Sequence, residues 1–319
     1  MKYLRMVIAM VMASAGATAL ADYPDRPVRL IVPYSAGGAA DTQARLIAKH
    51  LAERLGQQII VENRPGASGT IGAAAVARAP ADGYTLLYDA TAHAVNPALY
   101  PSLSYDTRKD FYPLSLVSRT PNLLVVPVQS PYETLADLTA AARREPGKLT
   151  YASAGNGTAQ HIAAELYARG AGIKLTHIPY KGGAPALADL MGQQTDMMFS
   201  NMTASYPLVQ SRRLRVLAVS SQDRVAALPD TPAVAESGIP GYQVYEWNGM
   251  FAPAGVAPAT LARLEEEIRA VLALAPVQQR FKELGAQPVG SSSEEFRVFL
   301  GREMQRAAEV LANAGIEAR

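Results

Sequence analysis

Two glycine-bearing segments hold the residue types best suited to chemistry. The first is Pro33-Tyr34-Ser35-Ala36-Gly37-Gly38-Ala39-Ala40-Asp41. It joins an apolar run, Val28 to Val32, to a stretch with Leu46, Ile47, Leu51 and Leu55 at helical spacing. Paired glycines let the backbone turn tightly and approach a ligand closely. The N–H groups that open the following helix lack intrahelical partners and carry partial positive charge, which favours an anion. The second segment runs Tyr151-Ala152-Ser153-Ala154-Gly155-Asn156-Gly157-Thr158-Ala159-Gln160-His161 and again leads from a strand-like run into a helical one. Here Ser153 and Thr158 add hydroxyl donors to the amides of Gly155 and Gly157. Taken alone, each segment also reads as an ordinary Gly-rich connection, with Asp41 merely stabilising a first helical turn. Taken together, one in each half of the chain, they point to one anion held between two units.

Other chemistry finds less support. The chain has no cysteine, which excludes thiol catalysis and disulfides. A dinucleotide fingerprint needs a third glycine where Gln160 stands. Gly66-Ala67-Ser68-Gly69 lacks the spacing of a nucleophile elbow. His50, His93, His161 and His177 show no metal-ligand spacing, so neither metal nor cofactor is expected. Glu265 and Glu266 fall on a predicted helix surface and read as solvated. A hydrolase using Ser153 with His161 stays as an alternative. The formal net charge is +2, which gives no reason to expect nucleic acid.

The elements that must position these segments alternate. Strand-like runs occur at 28–32, 58–62 and 84–88, with helices at 41–55 and 71–79 between them. Strand–helix–strand order implies parallel pairing. A second series starts near Asn122, with strands at 123–126, 149–153 and 214–220, extended stretches at 174–179 and 196–199, and helices beginning at Thr134, Thr158 and Ala184. The C-terminal part reads as helices at 258–274 and 293–314, with no further strand. The reading is α/β, with two lobes and two connections between them, near Thr120–Leu123 and Tyr245–Pro253. Lobe 1 takes residues 22–122 and 245–319, and lobe 2 takes 123–244. Residues 1–21 read as an export signal: Lys2 and Arg5, an apolar stretch, then Ala19-Leu20-Ala21 before a cut at Asp22.

Seven segments in fixed order carry a resemblance to a known family. They are PYSAGGAAD (33–41), ENRPGASGTIGA (62–73), YDTRKDFYPLSLV (105–117), LTYASAGNGTAQHIAAELY (149–167), HIPYKGGAPALADLMG (177–192), LPDTPAVAESGIPGY (228–242) and WNGMFAPAGVAP (247–258). The chain resembles the Bug-type periplasmic solute receptors of tripartite tricarboxylate transporters over nearly its whole length. The resemblance implies a type II periplasmic-binding-protein fold, a Venus flytrap with two interlobe crossovers. It implies no catalysis. It implies a monomer that captures a small carboxylate ligand and hands it to an integral-membrane permease; presentation to a membrane receptor kinase is the alternative role.

The resemblance also places ligand carboxylates against Ala36, Gly37, Gly38 and Asp41, and against Ser153, Gly155, Gly157 and Thr158. Tyr34 and Thr91 are further candidates, as neighbours in the same strand-end loops. Two stretches depart from the family pattern. Asp89-Ala90-Thr91-Ala92-His93 replaces one usually richer in Gly, Ser and Thr, and Ser200 stands where an Asp is common. Asp89 and Ser200 are therefore expected to set what the far end of the ligand can be, with Asp89 meeting an ammonium or hydroxyl. A structural hydrogen bond is the alternative for Asp89, and an exposed loop lysine is the plain reading of Lys181.

Overall fold

A computed structural model describes residues 23–314. The expected export signal, residues 1–21, lies outside them. The chain opens with β1 (Val28–Val32), α1 (Ala39–Leu55), β2 (Ile59–Asn63), α2 (Thr70–Ala77), β3 (Thr85–Ala90) and α3 (Ala92–Leu99). β1 pairs in parallel with both β2 and β3. β4 (Phe111–Pro127) follows, then α4 (Leu135–Arg144), β5 (Thr150–Ser153), α5 (Ala159–Ala171), β6 (Thr176–Pro179), α6 (Gly183–Met191), β7 (Met197–Asn201), α7 (Met202–Gln210) and β8 (Leu214–Val219). β5 pairs in parallel with β6 and β7. The last part holds β9 (Tyr245–Pro253), α8 (Pro258–Ala273), α9 (Ala275–Glu283), β10 (Gln287–Pro288) and α10 (Ser293–Ala314).

One strand joins two sheets. β4 has 17 residues, about 55 Å when extended, well beyond an ordinary strand. Its first part, Phe111 to Pro121, pairs antiparallel with β9, which also pairs with β3. From Asn122 onward it pairs antiparallel with β7 and β8. The partners change at Pro121, which brings no N–H to a ladder. Ser220 clasps the return path there. Its Oγ accepts from Asn122 N–H at 2.8 Å and donates to the Val244 carbonyl at 2.5 Å. The expected connections at 120–123 and 245–253 are thus the interior of β4 and the strand β9.

The expectation of no strand after 253 is corrected by β10, two residues that pair with Ser118 and Arg119 of β4. α3 and α7 are additions to the sequence reading. Each carries an interior proline, Pro97 and Pro207, which weakens a helical pattern.

α10 packs on both halves. Phe296 and Leu300 join a cluster with Ile31, Leu87 and Phe251. Ala307 and Leu311 join another with Leu124, Tyr151 and Tyr167. Phe296 is fully buried and sits so close to Gly249 that a Cβ there would lie 2.1 Å from the ring. Phe296→Ala is expected to cost about 3–5 kcal/mol, the range for emptying a buried aromatic site. Urea unfolding of the two proteins checks it.

Candidate ligand-binding site

A cleft lies where the strands of both halves end. Gly38, Ala39 and Ala40 line it from the first glycine segment, and Ala154, Thr158, Ala159 and Gln160 from the second. The two segments therefore face one gap. Such crevices at carboxyl strand ends are where open α/β sheets hold ligands.

The first turns of five helices border the cleft. Ala39 and Ala40 open α1, Ala92 opens α3, Ala159 and Gln160 open α5, Gly183 opens α6, and Ala204 lies in the first turn of α7. The helices α1, α3 and α6 have no side-chain cap on their first N–H groups. Among the described residues, no Lys or Arg side chain lines the cleft. With no such cation in the lining, the peptide dipoles of these helix N-termini are what the cleft offers an anion.

The first segment is shaped from behind. Asp41 is buried, and its carboxylate accepts from Gly37 N–H at 2.9 Å, from Asn63 Nδ2 at 2.9 Å and from Arg45 Nε at 3.0 Å. Burial raises the Asp41 carboxyl. The hydrogen bonds from Arg45, Gly37 and Asn63 and the Arg45 charge outweigh burial and hold it below its ordinary value. Asn63 also donates to the Tyr34 carbonyl at 3.0 Å. Of the expected residues here, Tyr34 and Gly38 line the cleft; Asp41 is buried beside it, and Ala36 and Gly37 are exposed and not among its lining.

The second segment is shaped the same way. Thr158 Oγ1 donates to the Gly155 carbonyl at 2.7 Å, and Gly157 N–H donates to His161 Nδ1 at 3.0 Å. Ser153 Oγ accepts from Gly155 N–H at 3.1 Å and lies 2.6 Å from His177 Nε2. The rings of Tyr151, His177 and His161 stack, with centroids 4.7 Å and 4.2 Å apart. Ser153 is fully buried and meets His177, not the His161 required by the hydrolase alternative. Thr158 lines the cleft; Ser153, Gly155 and Gly157 fix the turn that presents it.

Thr91 and Ser200 both line the cleft. Asp89 does not: its carboxylate accepts from Tyr34 OH at 2.9 Å and Ala90 N–H at 2.8 Å, and lies 3.0 Å from His93 Nδ1. That is the structural hydrogen-bond role. Lys181 lies in an exposed loop. Gln160, Asn201 and Glu246 line the cleft without having been picked from the sequence. Burial pushes the Glu246 carboxyl up to about 7, with the side-chain amides of Gln160 and then Asn201 pulling the other way. Its only sequence signal was one acid inside the otherwise uncharged run Tyr245 to Pro253.

The halves touch across the rim. A Cβ on Gly182 would lie 2.2 Å from Ser35 Oγ, and one on Gly155 would lie 2.9 Å from Ser68 Oγ. The rim of the cleft is narrow at these two points.

Comparison with known proteins agrees with this geometry. The sequence profile of the family described as "Tripartite tricarboxylate transporter family receptor" matches residues 43–316. The solved structure of periplasmic binding protein BugD is 35% identical, with a TM-score of 0.90, over 93% of this chain and 100% of that one. Rpa4515 of R. palustris, solved with adipate, is 36% identical with a TM-score of 0.90 over 93% and 100% of the two chains. MatC of Rhodopseudomonas palustris, solved with bound malate, is 32% identical with a TM-score of 0.86 over 91% and 100%. With a two-lobed α/β fold, a cleft ringed by helix N-termini and a family match over most of its length, the chain belongs to the tripartite tricarboxylate transporter receptor family.

Proposed function

We propose that this protein is an exported, monomeric receptor that captures a small metabolite by its carboxylate and delivers it to the integral-membrane permease of a tripartite tricarboxylate-type transporter. The observation that carries the reading is the convergence of five helix N-termini on a cleft without a cationic side chain. A carboxylate placed there meets neutral donors: the amides of α1 and α5, with the hydroxyls of Thr91 and Ser200 as side-chain contacts. Each charge-assisted hydrogen bond contributes about 1.5–3 kcal/mol, so a few of them reach the ~8 kcal/mol of micromolar binding. The ligands of Rpa4515 and MatC, adipate and malate, are both small carboxylates and support the class.

In this reading residues 1–21 leave on export, after Ala21. Lobe 1 comprises 22–122 and 245–319, and lobe 2 comprises 123–244. The lobes rotate about the Pro121 and Val244 region, where the sheet partners change, and the closed form docks on the permease. The experiment is a thermal-shift screen of the mature protein against mono-, di- and tricarboxylates and their amides. Ligand at about a hundredfold excess over Kd adds about 2.7 kcal/mol to the folded state. Stabilisation by acids and not by their amides is the expected result; equal stabilisation by the amides would sink the reading.

A further inference from the structure

Among the described residues that line the cleft, Glu246 alone bears a carboxyl group. It sits on β9 where that strand pairs with Thr120 of β4, on the wall of a cleft otherwise built for negative charge. Its carboxylate accepts from Gln160 Nε2 at 2.5 Å. Gln160 Oε1 is buried without a hydrogen-bond partner, and the Asn201 side-chain amide also acts on the Glu246 carboxyl. Both side chains also line the cleft and are at most 5% exposed. With the amides of Gln160 and Asn201 turned to it, the Glu246 carboxylate is the acceptor this wall presents to a guest. A guest that satisfies it must itself bring hydrogen-bond donors.

The geometry points to Glu246 as the residue that selects the ligand by its far end. It accepts from an ammonium or hydroxyl group there, and admits a second carboxylate only when one proton is taken from water and shared by the acid pair. This rests on the carboxylate reading of the cleft given above. The near carboxylate is held by the helix N-termini, and Glu246 reads what remains.

Burial pushes the Glu246 carboxyl up to about 7. Its field reaches Tyr34 after β1 and Tyr88 on β3, whose phenols burial pushes well above their ordinary value. α5 and β7 face it with the uncharged amides of Gln160 and Asn201, and β4 with Thr120. His161, next to Gln160, is held in the ring stack and by Gly157. Asp89 is held by Tyr34, Ala90 and His93. On β4, Arg119 lies over the Tyr245 ring, 4.9 Å from its centroid, on an exposed face.

The sign follows from the two charge states. A second carboxylate raises the Glu246 carboxyl further, so binding takes up a proton and weakens as pH rises past about 7. An ammonium needs the ionised form, so its binding weakens as pH falls through the same region. The experiment is calorimetric titration of the wild type and Glu246→Gln with two matched series: succinate and glutarate against γ-aminobutyrate and δ-aminovalerate. From about pH 6 to about pH 8, wild-type affinity for a dicarboxylate is expected to fall about tenfold and that for an ω-amino acid to rise about tenfold, one proton being exchanged in each case. Glu246→Gln is expected to flatten both slopes and to lose at least about tenfold toward the ammonium-ended series, one charge-assisted contact in magnitude. Wild-type slopes that are flat, or slopes unchanged by the substitution, overturn the proposal while leaving the carboxylate seat intact. Failure of every member of both series to bind, while other acids stabilise the protein in the thermal-shift screen, overturns the far-end assignment; failure of every acid in that screen removes the seat itself. The wild-type slopes decide the matter even if the variant does not fold.

Discussion

Gly182→Val is expected to weaken ligand binding by about a hundredfold, some 2.7 kcal/mol, while the protein still folds. Gly182 caps α6 in the half opposite Ser35, with φ at +151°. A Cβ there would stand 2.2 Å from Ser35 Oγ and 2.7 Å from Ser35 N. The second contact is backbone and cannot swing aside, so the side chain props the rim open. Binding then loses the water exclusion and the paired contacts that closure supplies. The substitution also puts a β-branched residue in a backbone region it rarely adopts, a cost of about 1–3 kcal/mol with or without ligand. Gly147→Val separates the two effects. Gly147 has φ at +79° and nothing within 4 Å of its built Cβ. It should lower the melting midpoint and leave affinity alone. Calorimetry gives the affinities, and small-angle scattering shows whether ligand still shrinks the Gly182 variant.

Asp41→Ala should cost about 1–2 kcal/mol of stability, because three partly buried donors lose the carboxylate they share, and about tenfold in affinity, because Gly37 and Gly38 lose their fixed turn. The buried carboxylate satisfies Gly37 N–H, Asn63 Nδ2 and Arg45 together. A depressed carboxyl contributes stability above its unfolded value, and that contribution is lost as pH falls through the lower folded value. The wild type should therefore lose more stability than Asp41→Ala as the solution is taken from about pH 5 to about pH 3, below the unfolded Asp value. Denaturant midpoints across that range measure the difference. Equal acid loss in the two proteins would mean that Asp41 is not the clamp on this loop.

Much of this molecule is local and so legible in its sequence. Gly37–Gly38 and Gly155–Gly157 sit at strand-to-helix junctions, and Gly56 closes α1 in the left-handed conformation. The parallel pairing of β1 with β2 and β3 follows from the alternation of elements. What stayed hidden depends on distant partners. Of the segment Phe111 to Pro127 only 123–126 reads as a strand, because the first part bonds to the distant β9 and the second to β7 and β8. β9 itself reads as a connector because its partners lie more than a hundred residues earlier in the chain. Asp89 looks like a ligand contact until Tyr34, Ala90 and His93 are found on its oxygens. Glu246 is missed because nothing within its strand says that the side chain ends beside Gln160, 86 residues away. Local chemistry located the loops, and tertiary closure decided which of their side chains face inward.

Because peptide groups and not side chains supply the cleft's positive pole, no single substitution of a lysine or arginine can erase it. Duplicated copies of such a gene can accumulate changes at Thr91, Ser200 or Glu246 and try new guests while keeping the grip on acids. A lineage founded on this scaffold is thus free to diversify its diet of acids without first reinventing how to hold one.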